Sequence, residues 1–178
     1  IAGGLIMGMG LGVRHAQGIF QLPIVLERGW SREAFGFAIA LQNLVWGIAQ
    51  PLTGMIADRF GSRTVFRSAI CIFMLGSICC AFSDSLPAFV AARFLQGVGG
   101  AMMVPIGRLV VLRDTPKDAL VRTIAILTWP ALVAPILGPP LGGWISTHWS
   151  WHWIFLLNLP LGVAALVVWA DKRFILGG

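Results

Sequence analysis

Long apolar runs alternate with short polar connections along the chain, and the runs predict membrane-spanning helices over about 1–26, 34–57, 66–83, 86–107, 123–147 and 153–170. A span needs about 20 residues. Six spans with short loops therefore nearly fill 178 residues and leave no room for a separate soluble domain. The expected fold class is all-α integral membrane, a six-transmembrane-helix bundle over 1–178. In the connection 27–33, Ser31 ahead of Arg32-Glu33 has the pattern of a helix N-cap followed by an acid in the first turn. Ser83-Asp84-Ser85 marks a brief turn before the fourth run.

Composition agrees with the pattern. Apolar residues make up 57% of the chain and charged residues 11%, against about 45–50% and about 25% in a soluble domain. The net charge of +6 raises the question of nucleic acid, but the basic residues lie in short loops between apolar runs. They report orientation in a lipid bilayer, and no nucleic-acid partner is expected. Arg59, Arg63, Arg67, Arg113, Lys117, Arg122, Lys172 and Arg173 fall on one side, and Arg28 and Arg32 on the other. The positive-inside rule then puts both termini in the cytoplasm. Cys71, Cys79 and Cys80 share one apolar run and read as small core residues, without a disulfide framework or a metal motif. The chain starts at Ile1 inside an apolar run, so a trimmed N-terminus is expected and the lack of a leader is uninformative.

Polar residues inside the runs are the candidate chemistry. Arg14 and His15 fall in the middle of the first span, where a charge costs at least about 2.5–3.5 kcal/mol and must face a polar interior or a partner. Both are candidate substrate-binding residues, with Arg14 as counter-charge to an anion; the alternative is a structural ion pair or a bond to a helix end. Gly4, Gly8 and Gly12 share a face of that span, which lets another helix approach closely. Gln42 and Asn43 in the second span either line a substrate cavity or tie helices together. The fifth span holds Pro130, Pro135, Pro139 and Pro140, each removing a backbone donor and bending the helix. Trp149, Trp151 and Trp153 suit a membrane interface, where the ring is buried and its N–H stays wet. His148 and His152 could share a helix face, but no third ligand is near, so neither metal nor other cofactor is expected. The chain contains no G-x-S-x-G or H-E-x-x-H arrangement and pairs no acids in the membrane, which argues against an enzyme.

The run Gly54-Met55-Ile56-Ala57-Asp58-Arg59-Phe60-Gly61-Ser62-Arg63 packs two glycines, a carboxylate and two guanidiniums between two apolar spans. Gly61 permits a sharp turn, Arg59 and Arg63 hold it on the cytoplasmic side, and Asp58 can cap or salt-bridge a helix end. This run resembles the G-x-x-x-D-R-x-G-x-R loop between helices two and three of major facilitator superfamily transporters. Ala92-Arg93-Phe94-Leu95-Gln96-Gly97 resembles that family's R-x-x-Q-G motif of helix four, and Gly138-Pro139-Pro140-Leu141-Gly142-Gly143 its G-P-x-x-G-G antiporter motif of helix five. Alanines stand at 125 and 134, where the fuller helix-five pattern often has glycine. Trp151–Phe155 and Asn158–Gly162 look like the start of helix six in the fourteen-span drug:proton antiporter branch. The stretch 12–20 looks instead like helix one of carboxylate-handling members, with Arg14 where the drug branch carries an acidic run.

The resemblance implies the N-terminal six-helix half of a major facilitator, located in the plasma (inner) membrane. It implies a proton-coupled secondary transporter that moves small molecules by alternating access, as multidrug or organic-compound efflux. An organic-anion or monocarboxylate carrier is the alternative, and a truncated, non-transporting membrane fragment the second. It assigns Arg93 and Gln96 to proton coupling, the alternative for Arg93 being a side chain snorkelling to the outer surface. Gly54, Asp58, Arg59, Gly61 and Arg63 become a cytoplasmic gate, and Gly138, Pro139, Gly142 and Gly143 shape helix five. The implied partners are a small-molecule substrate, protons and a second transporter half, covalent or by dimerisation.

Overall fold

A computed structural model describes residues 17–113 and 115–170 of the chain. Arg14 and His15 lie outside the described residues. The described part is helical throughout: α1 (Gln17–Arg28), α2 (Arg32–Phe60), α3 (Ser62–Ala81), α4 (Leu86–Arg113), α5 (Leu120–His148), α6 (His152–Leu156) and α7 (Asn158–Ala170). Three of these, α2, α3 and α4, are long and apolar enough by composition to cross a membrane. At 1.5 Å per residue, the 29 residues of α5 give it comparable reach.

The helix ends have local causes. Gly29, with φ +65°, turns the chain out of α1, and the Ser31 Oγ accepts the Ala34 N–H at 3.1 Å to cap α2. Gly61 alone joins α2 to α3; its φ of +82° lies where a side chain is strained. The sixth segment divides at Leu157 because Pro160 has no N–H to offer the Leu156 carbonyl. α5 runs helical through all four of its prolines. Near its end the Gly143 carbonyl accepts both Ser146 Oγ (3.0 Å) and Thr147 Oγ1 (2.8 Å), side-chain donors of the kind that membrane helices use around proline.

α4 is the centre of the packing. It lies most extensively against α3 and α2, while α5 touches mainly α1 and meets α4 and α6 only thinly. Two apolar cores flank its length. The first gathers Ile24, Phe35, Ala38, Cys80, Phe89, Ala92, Trp151 and Phe155 from the ends of α1–α4 that lie near α6. The second gathers Ala57, Val65, Phe66, Ile70, Met103, Ile106 and Ala165 around the α2–α3 turn and α7.

Two sequence expectations need correction. Only Cys80 belongs to the core; Cys71 and Cys79 are exposed, because one turn of α3 turns only part of its residues inward. Trp151 is buried as well, and its indole Nε1 donates to Glu27 Oε2 at 2.7 Å, so its N–H is held by a carboxylate rather than by water. Trp149 and Trp153 remain exposed, 5.5 Å apart between ring centroids.

Candidate functional site

Between the two apolar cores lies a layer of polar side chains from four segments: Gln42 of α2, Ser77 of α3, Arg93 and Gln96 of α4, and Asn158 at the start of α7. All five are buried, and Arg93 is 2% exposed. The snorkelling alternative therefore fails, since the guanidinium stays within the bundle. Arg93 and Gln96, at i and i+3, share one face of α4, and Arg93 Nη1 donates to Gln96 Oε1 at 2.9 Å. A longer contact, 3.4 Å, joins Nη1 to Gln42 Oε1, and Gln42 Nε2 donates to Gln96 Oε1 at 3.3 Å. Gln96 Nε2 donates to Ser77 Oγ at 2.8 Å, and Asn158 Nδ2 donates to the same oxygen at 3.2 Å. Ser77 in turn donates to the Phe73 carbonyl at 2.9 Å.

Glycines let the three long helices close to this distance. A Cβ on Gly76 would stand 2.7 Å from the Gln96 backbone nitrogen, and one on Gly97 would stand 2.9 Å from the Gln42 carbonyl oxygen. Real Cβ contacts are essentially never that short, so each glycine is required by the packing of the layer.

The electrostatics are lopsided. The guanidinium carbon of Arg93 lies 5.1 Å from the centroid of Phe89 and 4.8 Å from that of Phe155, so the charge is held by π faces and amide oxygens. Its Nε makes no hydrogen bond. Among the described residues no carboxylate pairs with it, and the one ion pair is Arg28–Asp84, at 2.7 Å at the end of the bundle that carries the first core. Among the described residues the acids, Glu27, Glu33, Asp58, Asp84 and Asp118, all sit at helix ends or in connections. A buried charge without a partner ion costs several kcal/mol, so the layer holds a cation ready to accept an anionic neighbour.

The remaining sequence-predicted residues are distributed elsewhere. Asn43 follows Gln42 but lies on the exposed side of α2, about 100° around the helix. Asp58, Arg59 and Arg63 are exposed and make no ion pair among the described residues. The Arg59 guanidinium lies 5.6 Å over the Phe60 ring. Gly54 is open, with nothing within 4 Å of a Cβ built on it. Gly142 is buried on α5, and Gly138, Pro139 and Gly143 are half-buried there. No three His, Cys, Asp or Glu side chains come together to hold a metal among the described residues. His148 stacks on Trp144 and His152 on Trp151, so the two histidines do not converge.

Sequence reasoning missed Ser77 and Asn158 as members of the site. The available signal was a hydroxyl and an amide inside apolar spans, residue types that hydrogen-bond across membrane helices.

The family model for the Major Facilitator Superfamily matches residues 2–173. The MdtD protein of Cronobacter sakazakii, named for multidrug resistance, is 49% identical over 133 residues, which is 74% of this chain and 28% of that protein. The HsrA protein of Haemophilus influenzae, named as a transport protein, is 45% identical over 130 residues, covering 73% of this chain and 28% of its own length. The chain thus spans under a third of either relative. Among solved structures, the inward-open xylose transporter XylE of E. coli superposes with a TM-score of 0.75 at 18% identity, over 94% of this chain and 45% of its own. A D-xylose–proton symporter gives 0.76 at 17% identity, over 96% and 46%. The chain belongs to the Major Facilitator Superfamily, a family of multi-pass membrane transporters, and its fold is half of theirs.

Proposed function

We propose that the chain is the N-terminal six-helix half of a proton-coupled secondary transporter that exports drugs or other organic compounds by alternating access. It sits in the plasma (inner) membrane with both termini cytoplasmic. The observation that carries the reading is Arg93, buried in an amide-and-hydroxyl layer with no carboxylate beside it among the described residues. A carboxylic acid brought next to such a charge is favoured in its ionised form and gives up its proton; moved away, it recovers one. Arg93 and Gln96 therefore couple protonation to the position of an acid that the described residues do not bring beside them. The names of the relatives support export of drugs as the cargo class.

A second transporter half, joined covalently or by dimerisation, completes the site at the interface between halves. Supporting this, Gly36, Gly47 and Gly54 fall close to one line of α2 at 3.6 residues per turn, and a Cβ on any of the three would meet nothing within 4 Å among the described residues. Small residues aligned in this way admit another helix closely. Asp58, Arg59 and Arg63, exposed and without ion pairs among the described residues, latch the cytoplasmic gate against the other half in one state and release it in the next. Gly138, Pro139, Gly142 and Gly143 shape α5 for that rocking.

The positive interior favours one further reading, an organic-anion or monocarboxylate carrier in which Arg93, with Arg14 and His15 of the first span and Gln42 and Asn43 of the second, attracts an anion. Proton movement in everted vesicles containing the full-length protein separates the readings. Uptake released by a lipophilic cation supports drug export, and uptake released by a carboxylate and lost in Arg14→Ala supports the anion carrier. No movement with either, from folded protein, would count against both readings.

A further inference from the structure

The Ser77 hydroxyl has every hydrogen-bonding position filled. It has one proton and two lone pairs; the proton goes to the Phe73 carbonyl at 2.9 Å, and the lone pairs accept Gln96 Nε2 at 2.8 Å and Asn158 Nδ2 at 3.2 Å. The donation to Phe73, four residues earlier in the same helix, is local and survives any movement of α4 or α7. With its proton so committed, the oxygen can only accept. Gln96 must then turn its NH₂ toward Ser77 and its carbonyl oxygen the opposite way, toward Arg93 Nη1 at 2.9 Å. Reversing the Gln96 amide would place an NH₂ against a guanidinium and an oxygen against a hydroxyl that has nothing left to donate.

We infer that Ser77, held by Phe73 and shared with Asn158, is the positioning residue that fixes the Gln96 amide and through it the place of the Arg93 charge. The inference rests on the proposed role of Arg93 in proton coupling. Asn158 adds a second consequence. It lies where the sixth segment divides at Leu157, with α6 behind it and Pro160 ahead. A shift of α7 against α3 would withdraw Nδ2 and free one lone pair on Ser77. The position of the Arg93 charge thereby becomes sensitive to a helix that does not touch Arg93 through any hydrogen bond.

The test uses the full-length protein, purified and reconstituted, as Ser77→Ala, Asn158→Ala, Gln96→Ala and the double variant Ser77→Ala/Gln96→Ala. Two readouts are taken: the guanidinium nitrogen resonance of Arg93, assigned by its loss in Arg93→Lys, and the pH midpoint of substrate-driven proton uptake. S77A is expected to move or broaden the Arg93 resonance, to shift the pH midpoint, and to lower coupled uptake roughly fivefold, the factor of one hydrogen bond. N158A is expected to do the same to a lesser degree. In the Q96A background S77A should add nothing, because its effect passes through that amide. An Arg93 resonance and a pH midpoint unchanged in folded S77A would overturn the inference, as would effects of S77A and Q96A that simply add. Should S77A fail to fold, N158A, which leaves Ser77 in place, carries the same two readouts. Absence of proton uptake in the unaltered protein would defeat the coupling reading alone, since the Arg93 resonance still reports whether Ser77 positions the charge.

Discussion

Helices α4 and α2 each carry glycines along the bundle, and their surroundings are opposite. On α4, a Cβ at Gly97 would meet the Gln42 carbonyl, one at Gly99 would stand 2.6 Å from the Phe73 nitrogen, and one at Gly100 would strike the Trp46 ring. On α2, Gly36, Gly47 and Gly54 meet nothing within 4 Å. The first set is consumed by packing inside this half: it draws α2 and α3 onto α4 and closes the polar layer. The second set has no packing purpose among the described residues. Glycine in a helix interior costs roughly 0.5–1 kcal/mol relative to alanine, so a row left without contacts points to a function that this half does not complete alone.

Alanine substitutions break the comparison most sharply. Gly99→Ala puts its methyl against backbone atoms of Phe73 and Ala69, neither of which can swing aside. Overpacking of that kind is expected to cost about 1–3 kcal/mol, read as a fall in thermal unfolding temperature of the detergent-purified protein. Gly54→Ala is expected to leave that temperature unchanged or raise it slightly, with a gain in stability of up to about 1 kcal/mol, while lowering transport by the full-length protein. A G54A variant that keeps full transport would remove the reason for placing a second helix on that face. The exposed ion pair gives the smallest effect. Asp84, 87% exposed, pairs with Arg28 at 2.7 Å, and Asp84→Ala should change stability by less than about 1 kcal/mol, with a double-mutant cycle as the check.

The architecture was largely readable because lipid allows few solutions. Each apolar run must satisfy its own backbone hydrogen bonds, so it becomes a helix, and Gly61 marks the α2–α3 turn through the positive φ that only glycine takes easily. The helices extend beyond the apolar runs, as with α2, which reaches Phe60 after hydropathy has ended, because polar terminal turns still close backbone bonds. The site was half readable. Arg93, Gln96 and Gln42 stand out as polar residues in apolar spans, and α-helical spacing puts Arg93 and Gln96 together. Spacing along one helix says nothing of what lies across from it. Ser77 and Asn158 meet Gln96 only because Gly76 lets α3 and α4 approach, a three-dimensional fact without a linear signature. Asn43 shows the same limit from the other side, one residue from Gln42 and yet turned away.

The central claim is that the Arg93 charge is retained for coupling at a cost to folding, and Arg93→Met tests it most directly. Methionine fills similar volume without charge, and Gln42 Nε2 already lies 3.3 Å from Gln96 Oε1 to take up its oxygen. Replacing a buried charge in this way is often neutral or stabilising. Thermal unfolding and substrate-driven proton uptake would be measured together on the full-length protein. The account predicts an unfolding temperature at or above that of the unaltered protein, with coupled uptake abolished. A protein that unfolds at lower temperature yet still couples protons to substrate would contradict it and make Arg93 a structural residue.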